Sequence, residues 1–337
     1  MTKPARALVT GASGFIGAHC VRYLVAQGCQ VRALDVHGAP ADFVSLGVEF
    51  KQTDLRDAAA VNAVLKDVDV VFHLASVHLD VGAPYSEFEA VNVKAVAGLV
   101  EACATNKVRR LVHVSSVGVY GHVAHPPANE SAPLSPQNTY EKTKRAGEDA
   151  ARQTASRCNV DLVIIRPSWV YGEGCPRTEK LIGALRRRRF FYIGAARNLR
   201  HPVYITDFLD GMWLAACAGP EIAGATFNIA GPKWMSVQEM VGTFAAAIQA
   251  PPPALRIPRW LGYWGGWFAE IVFGIAKKEP PISRRTLAFF ENDNAFDIAA
   301  ARNRLGYAPQ VQLLDGVRQV LREEDAHSSG QRATATA

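Results

Sequence analysis

Two short stretches of the chain carry residue types and spacings that can do chemistry. In Thr10-Gly11-Ala12-Ser13-Gly14-Phe15-Ile16-Gly17, three glycines stand at intervals of three between an apolar run and a helical pattern. Gly11 permits a tight turn, Gly14 lets backbone approach a pyrophosphate, and Gly17 lets helix and strand pack closely. The helix N-terminus that follows offers free N–H groups and a favourable dipole to that anion. Asp35 closes the next apolar run, where a carboxylate accepts both ribose hydroxyls of an adenosine and repels a 2′-phosphate. The pattern predicts NAD, with NADP kept open by Arg32 and His37 nearby. In the second stretch, Tyr140-Glu141-Lys142-Thr143-Lys144, a phenol and an ammonium lie one turn apart on a helix face. By itself this spacing suits two solvated positions as well as a phenol whose proton is managed by a nearby charge.

Elements must position these residues. A chain of 337 residues, 49% hydrophobic and 20% charged, can bury a sizeable core in one large domain or two joined lobes. ARALVTG, QVRALD, VEFKQTD, VDVVFHLAS, RRLVHVSS and VDLVIIRPS read as strands, and helical spacing fills the stretches between them. Strands apolar on both faces, each followed by a helix, predict an α/β fold with a doubly wound parallel (Rossmann) sheet. The ligand should lie across the carboxyl ends of its strands. After Pro167 the rhythm breaks up, which predicts a smaller C-terminal substrate-binding lobe. The expected division is 1–166 for the dinucleotide, with a returning segment near 203–231; 167–202 and 232–325 for the substrate; and a disordered tail over 326–337.

The N-terminus runs at once into strand and glycine pattern, leaving no room for a signal peptide. Six cysteines without a CxxC pair predict reduced thiols in a cytoplasmic protein. His78, His122 and His125 show no metal-ligand spacing, so no metal is expected. The net charge of +6 allows an anionic ligand or a membrane surface and does not call for nucleic acid.

Further motifs follow in order, and together they resemble the extended short-chain dehydrogenase/reductase family over nearly the whole chain. TGASGFIG is similar to that family's TGxxGFIG, and Asp54-Leu55 to its adenine-binding pair. Phe72-His73-Leu74-Ala75 matches the strand end along the cofactor, and Asn92 an asparagine on the next helix. Ser115-Ser116-Val117-Gly118-Val119-Tyr120-Gly121 resembles SSxxVYG, and Arg166-Pro167-Ser168-Trp169-Val170-Tyr171-Gly172 resembles RPxxVYGPG, with Glu173 where a proline is common.

The resemblance implies an enzyme that moves a hydride between a nicotinamide and a carbinol carbon. Tyr140 would be the general acid/base and Lys144 would lower its pKa while bonding the nicotinamide ribose. Ser116 would orient the substrate oxygen, and Ser115 would make a backbone hydrogen bond at the strand end. The implied cofactor residues are Gly11, Ser13, Gly14, Phe15, Ile16, Gly17, Asp35, Asp54, Leu55, Leu74, Ala75, Ser76, Asn92, Ser115, Tyr140, Lys144 and Pro167. Asn92 also suits a bridge between backbone groups; His73, Tyr120 and Tyr171 read as structural. Phe227-Asn228-Ile229-Ala230-Gly231 should return to the sheet, Asp207 should cap the following helix, and the FDIAAAR and LGYAP segments should fasten the C-terminal helices. Two copies are expected to pair through the Asn92 and Tyr140 helices, as relatives often do.

The substrate divides two branches of that family. Ser168 stands where nucleotide-sugar enzymes usually have an asparagine, which favours the 3β-hydroxysteroid and sterol dehydrogenase branch. Arg200 stands where sugar-modifying relatives hold a nucleotide phosphate, unless it serves an ion pair. Arg186 to Arg189 adjoin two phenylalanines, and Trp260, Trp264 and Trp267 lie between Arg259 and Lys278. These suit a greasy lid or a peripheral membrane contact, or else the lobe's core. An apolar, lipid-like secondary alcohol is the leading small-molecule substrate; a nucleotide sugar undergoing epimerisation or dehydration, or NAD sensing without turnover, are the alternatives.

Overall fold

The computed structural model describes residues 2–78, 83–265 and 284–334. The six predicted strands form as β1 (Arg6–Thr10), β2 (Gln30–Asp35), β3 (Glu49–Gln52), β4 (Val70–His73), β5 (Arg110–Val114) and β6 (Leu162–Pro167). Beyond them come β7 (Trp169–Tyr171), β8 (Tyr192–Ile193), β9 (Leu199–Arg200), β10 (Pro202–Tyr204) and β11 (Thr226–Ile229). β11 returns to pair with β6, as the FNIAG stretch predicted. The seven-stranded sheet runs β3-β2-β1-β4-β5-β6-β11, every pairing parallel. Chain order reverses between β1 and β4, and such a switch point opens a crevice at the carboxyl ends of the strands.

Alternation along the central strands splits the core in two. Val9, Phe72, Val112 and Ile165 face the helices α1 (Phe15–Ala26) and α7 (Ile205–Cys217). Leu8, Val71, Leu111 and Ile164 face α2 (Ala58–Val64), α4 (Ala95–Thr105) and α5 (Thr139–Cys158). With both faces covered, these strands need apolar residues throughout, which is why they read as continuous runs. The first core continues into Val170, Tyr192 and Phe244, so the segments after Pro167 pack on the sheet as one body with it.

Two expectations are corrected. Asp207 does not cap α7, which begins after Tyr204 without a side-chain cap. Its buried carboxylate accepts the backbone N–H groups of Gln310 (3.1 Å) and Val311 (2.9 Å), fastening the end of the LGYAP segment to α7. The stretch read as a disordered tail is helical to Thr334, continuing the helix that starts at Leu313. No proline interrupts that stretch, so the backbone ladder runs on.

Candidate active site

The glycine turn sits at the switch point, where β1 hands over to α1. Gly11 has φ +70°, and a Cβ there would lie 2.6 Å from the Ala75 nitrogen, so the turn and the exit of β4 nearly touch. A Cβ on Gly17 would lie 1.9 Å from the Gly11 carbonyl oxygen, which is the close helix–turn packing anticipated for it. Gly14 differs: the nearest atom to its Cβ position is 3.4 Å away, so the space before it is open. Phe15 and Ile16 open α1 beyond it. The Thr10 hydroxyl accepts the Ala75 N–H at 3.2 Å and bonds His73 Nδ1 at 2.7 Å, giving His73 the structural role expected. Leu74 and Ser76, half-buried, flank Ala75.

Asp35 is buried, and its carboxylate accepts the N–H groups of Ser13 and His37, each at 2.9 Å. The His37 ring Nδ1 also lies 3.2 Å from this carboxylate, so of the about four acceptor positions of its two oxygens about one remains for a ribose hydroxyl. Arg32 is turned away from this site, donating to the Val64 and Lys66 carbonyls and pairing with Glu49. Nearby, Asp54 accepts from Arg56, which holds its carboxyl below the ordinary value, and Leu55 is buried beside it. The cradle therefore fits a dinucleotide: an open face before Gly14, a spare carboxylate capacity on Asp35, and no guanidinium turned toward a 2′-phosphate from Arg32.

Across the crevice, α5 carries the Tyr140 and Lys144 pair. Its N-terminus is fixed by a capping box: the Asn138 side chain accepts the Glu141 N–H (3.0 Å), and Glu141 accepts the Asn138 N–H. The N-x-x-E pattern was present in the sequence and is a signal for this cap. A π-helical turn, Ala90–Lys94, lies against α5, and a Cβ on Gly147 would come within 2.2 Å of the Asn92 carbonyl oxygen. Asn92 bridges: its amide bonds both backbone groups of Val77 and the Thr143 hydroxyl. It positions the β4 exit against α5.

At the end of β5, the two serines diverge. Ser116 accepts the Gly118 N–H at 3.0 Å, and its hydroxyl favours the ionised form of the Tyr140 phenol. Ser115 is buried, and its hydroxyl makes no backbone bond, contrary to expectation; it acts on Glu148 instead. Successive residues point to opposite sides here, and of the two serines Ser116 acts on the phenol.

Lys144 departs from expectation more sharply. Its ammonium, buried, donates to the Val114 carbonyl at 2.7 Å. Burial pushes its pKa down to about 8, with Glu148 pulling the other way. The Tyr140 pKa lies above its ordinary value because of burial, opposed by the Arg177 charge and the Ser116 hydrogen bond. The Lys144 amine is engaged under the β5 end, and the charge that favours the phenolate here is that of Arg177 in α6 (Pro176–Arg186).

Beneath the pair, Glu148 is fully buried and takes a two-point contact from Arg166 (2.9 and 2.7 Å) plus Arg152 at 3.1 Å. Arg166 also donates to the Tyr120 hydroxyl, which donates to Asn228. This network locks α5 onto β6 and β11 and makes Tyr120 structural. Pro167 ends β6, buried; Ser168 follows, its buried hydroxyl without a protein partner.

Spacing gave no hint of two neighbours of Tyr140. His78 lies over its ring at 4.3 Å between centroids, and the Arg177 Nη2 meets His78 Nε2 at 3.1 Å. The only sequence signal for Arg177 was a basic residue in a helix's first turn, where the dipole disfavours it. Arg200 is buried and, among the described residues, forms no ion pair. It donates to the carbonyls of Leu199, Asn292 and Phe289 and lies over the Phe289 ring, its pKa pushed down to about 10 by burial. The aromatics divide: Phe190 and Phe191 pack on the core, whereas Trp260 and Trp264 are 65% and 59% exposed. Trp267 lies outside the described residues. Among the described residues no helix is long and apolar enough to cross a membrane.

With a switch-point glycine cradle, Ser116 acting on Tyr140, and Lys144 bonded to the end of β5, the site has the form of a nucleotide-dependent oxidoreductase. The model of the NAD dependent epimerase/dehydratase family matches residues 7–230, and the chain belongs to that family. It is accordingly an NAD-dependent enzyme of the extended short-chain dehydrogenase/reductase type. It is 28% identical to a 2-alkyl-3-oxoalkanoate reductase of Shewanella oneidensis, over 94% of this chain and 86% of that one. It is 32% identical to a UDP-glucose 4-epimerase of Mycolicibacterium smegmatis, over 93% and 96%. Among solved structures, DesIV, a dTDP-glucose 4,6-dehydratase of Streptomyces venezuelae with NAD and TYD bound, superposes with a TM-score of 0.76 at 26% identity, over 94% and 96%.

Proposed function

We propose that the protein interconverts a secondary alcohol and its ketone on an apolar, hydroxysteroid-like or other lipid-like substrate. The observation that carries this reading is that Ser116, just past the carboxyl end of β5, acts on the Tyr140 phenol at the start of α5. When bound, NAD supplies the hydride acceptor or donor. Gly11, Ser13, Gly14 and Gly17 would hold its pyrophosphate, Asp35 its adenosine ribose, and Asp54 with Leu55 its adenine. In reduction Ser116 donates a hydrogen bond to the substrate oxygen and the Tyr140 phenol, kept protonated by its raised pKa, gives that oxygen its proton. Oxidation is the reverse and needs the phenol first to release its own proton to solvent before it takes the one from the hydroxyl. Lys144 braces the end of β5 through Val114, fixing the strand that presents Ser116. Segments 167–202 and 232–325 form the substrate side in this reading.

Three features support an apolar substrate. Ser168 replaces the asparagine usual in nucleotide-sugar enzymes, Arg200 is saturated by carbonyls, and Trp260, Tyr263 and Trp264 are exposed beside the lobe. The same reading keeps a membrane surface as the contact for those aromatics and a homodimer formed through the Asn92 helix and α5. A second reading, sugar-nucleotide 4-epimerisation with NAD retained, is favoured by the 32% identity to the UDP-glucose 4-epimerase. Offering NAD+ with a 3β-hydroxysteroid or a long-chain secondary alcohol separates them. Net NADH supports the dehydrogenase; epimerised UDP-sugar without net NADH replaces it with the second reading.

A further inference from the structure

Arg177 has no evident task in the fold. It stands in the first turn of α6 behind Pro176, where a cation opposes the helix dipole, and the Cys175 N-cap offers no side-chain bond. It is exposed, and among the described residues its recorded hydrogen-bond partner is His78. A guanidinium only donates, so His78 Nε2 accepts and the ring carries its proton on Nδ1. That ring in turn covers the face of Tyr140. The result is a planar cation one ring's breadth from the phenol, whose Nε and Nη1 make no hydrogen bond among the described residues. The nearest carboxylate on Tyr140's own helix, Glu141, is spent on the capping box. The opposing pull of Arg177 on the phenol's acidity agrees that this charge stands close by.

We infer that Arg177 is a specificity-determining residue that receives a carboxylate of the substrate, placed a few bonds from the reacting carbon. One guanidinium balances one negative charge, which matches a carboxylate better than a diphosphate, and its flat fork offers a two-point contact. The substrate class is therefore a hydroxy or keto acid, with its apolar or sugar body lying in the lobe. This rests on Tyr140 marking the reacting centre.

The test is calorimetric binding to the NAD-loaded protein of two acid/neutral pairs: 3-hydroxydodecanoate against its methyl ester, and UDP-glucuronate against UDP-glucose. In at least one pair the acid is expected to bind about tenfold or more tighter than its neutral partner. In Arg177→Gln that ratio is expected to collapse toward one; the side chain is exposed, and an unchanged melting temperature confirms the fold. No preference for the acid in either pair, no binding of any probe, or a preference that survives Arg177→Gln overturns the inference. Acid binding without turnover would leave the anion site standing and remove the redox reading. Turnover of acid and neutral forms with equal affinity would do the reverse.

Discussion

The Lys144 ammonium donates to the Val114 carbonyl at 2.7 Å, one turn along α5 from Tyr140 and two residues before Ser116 on the facing strand. A single bond thus ties the helix of the phenol to the strand of the serine. Its cost is a buried cation, whose pKa falls from 10.5 to about 8.

That shift fixes a pH dependence. Between pH 8 and 10.5 the unfolded chain holds a proton on this lysine that the folded chain has lost, so stability rises with pH across that window. Relative to Lys144→Met, the wild-type protein is expected to gain on the order of 2–3 kcal/mol in urea unfolding from pH 8 to 10.5. Parallel profiles for the two proteins would show that the amine is not held in this state.

The glycines of the turn should separate folding from cofactor binding. Gly17→Ala drives a methyl into backbone, 1.9 Å from the Gly11 oxygen, and is expected to cost about 1–3 kcal/mol of stability. Gly14→Ala meets nothing nearer than 3.4 Å and is expected to cost less than about 1 kcal/mol. It should nevertheless weaken NADH binding about tenfold or more, because the methyl enters the space left for the pyrophosphate. Fluorescence titration decides, and a Gly14→Ala protein binding NADH as well as wild type would refute the cradle.

How much of this was legible follows from the range of each interaction. The strands β1, β4, β5 and β6 could be read because burial on both faces makes their central residues apolar, with the polar ones near the ends. Ser116, Tyr140 and Lys144 were located by spacing and resemblance, yet the Lys144 bond to Val114 depends on how a strand end tucks under a helix. Arg177 and His78 meet across 99 residues, beyond any local pattern. Asp207 was misread for the same reason. A local rule made it a cap, whereas its partners lie 103 and 104 residues on.

The buried pair beneath the site gives a third prediction. Glu148→Gln leaves the Arg166 cation, itself buried, without its two-point carboxylate and is expected to cost about 3–5 kcal/mol. Replacing both, as Glu148→Gln with Arg166→Met, is expected to recover most of that loss. A double-mutant cycle by urea unfolding measures the coupling, and additive single effects would mean the pair does not anchor α5.

The most direct measurement is on Tyr140, whose ring packs against His78, itself bonded to Arg177. In Tyr140→Phe, NADH affinity by titration is expected to match wild type, while kcat falls about 10²–10⁴-fold on whichever alcohol or sugar proves to be turned over. Intact NADH binding with wild-type kcat would contradict the assignment of this phenol as the group that exchanges the substrate's proton.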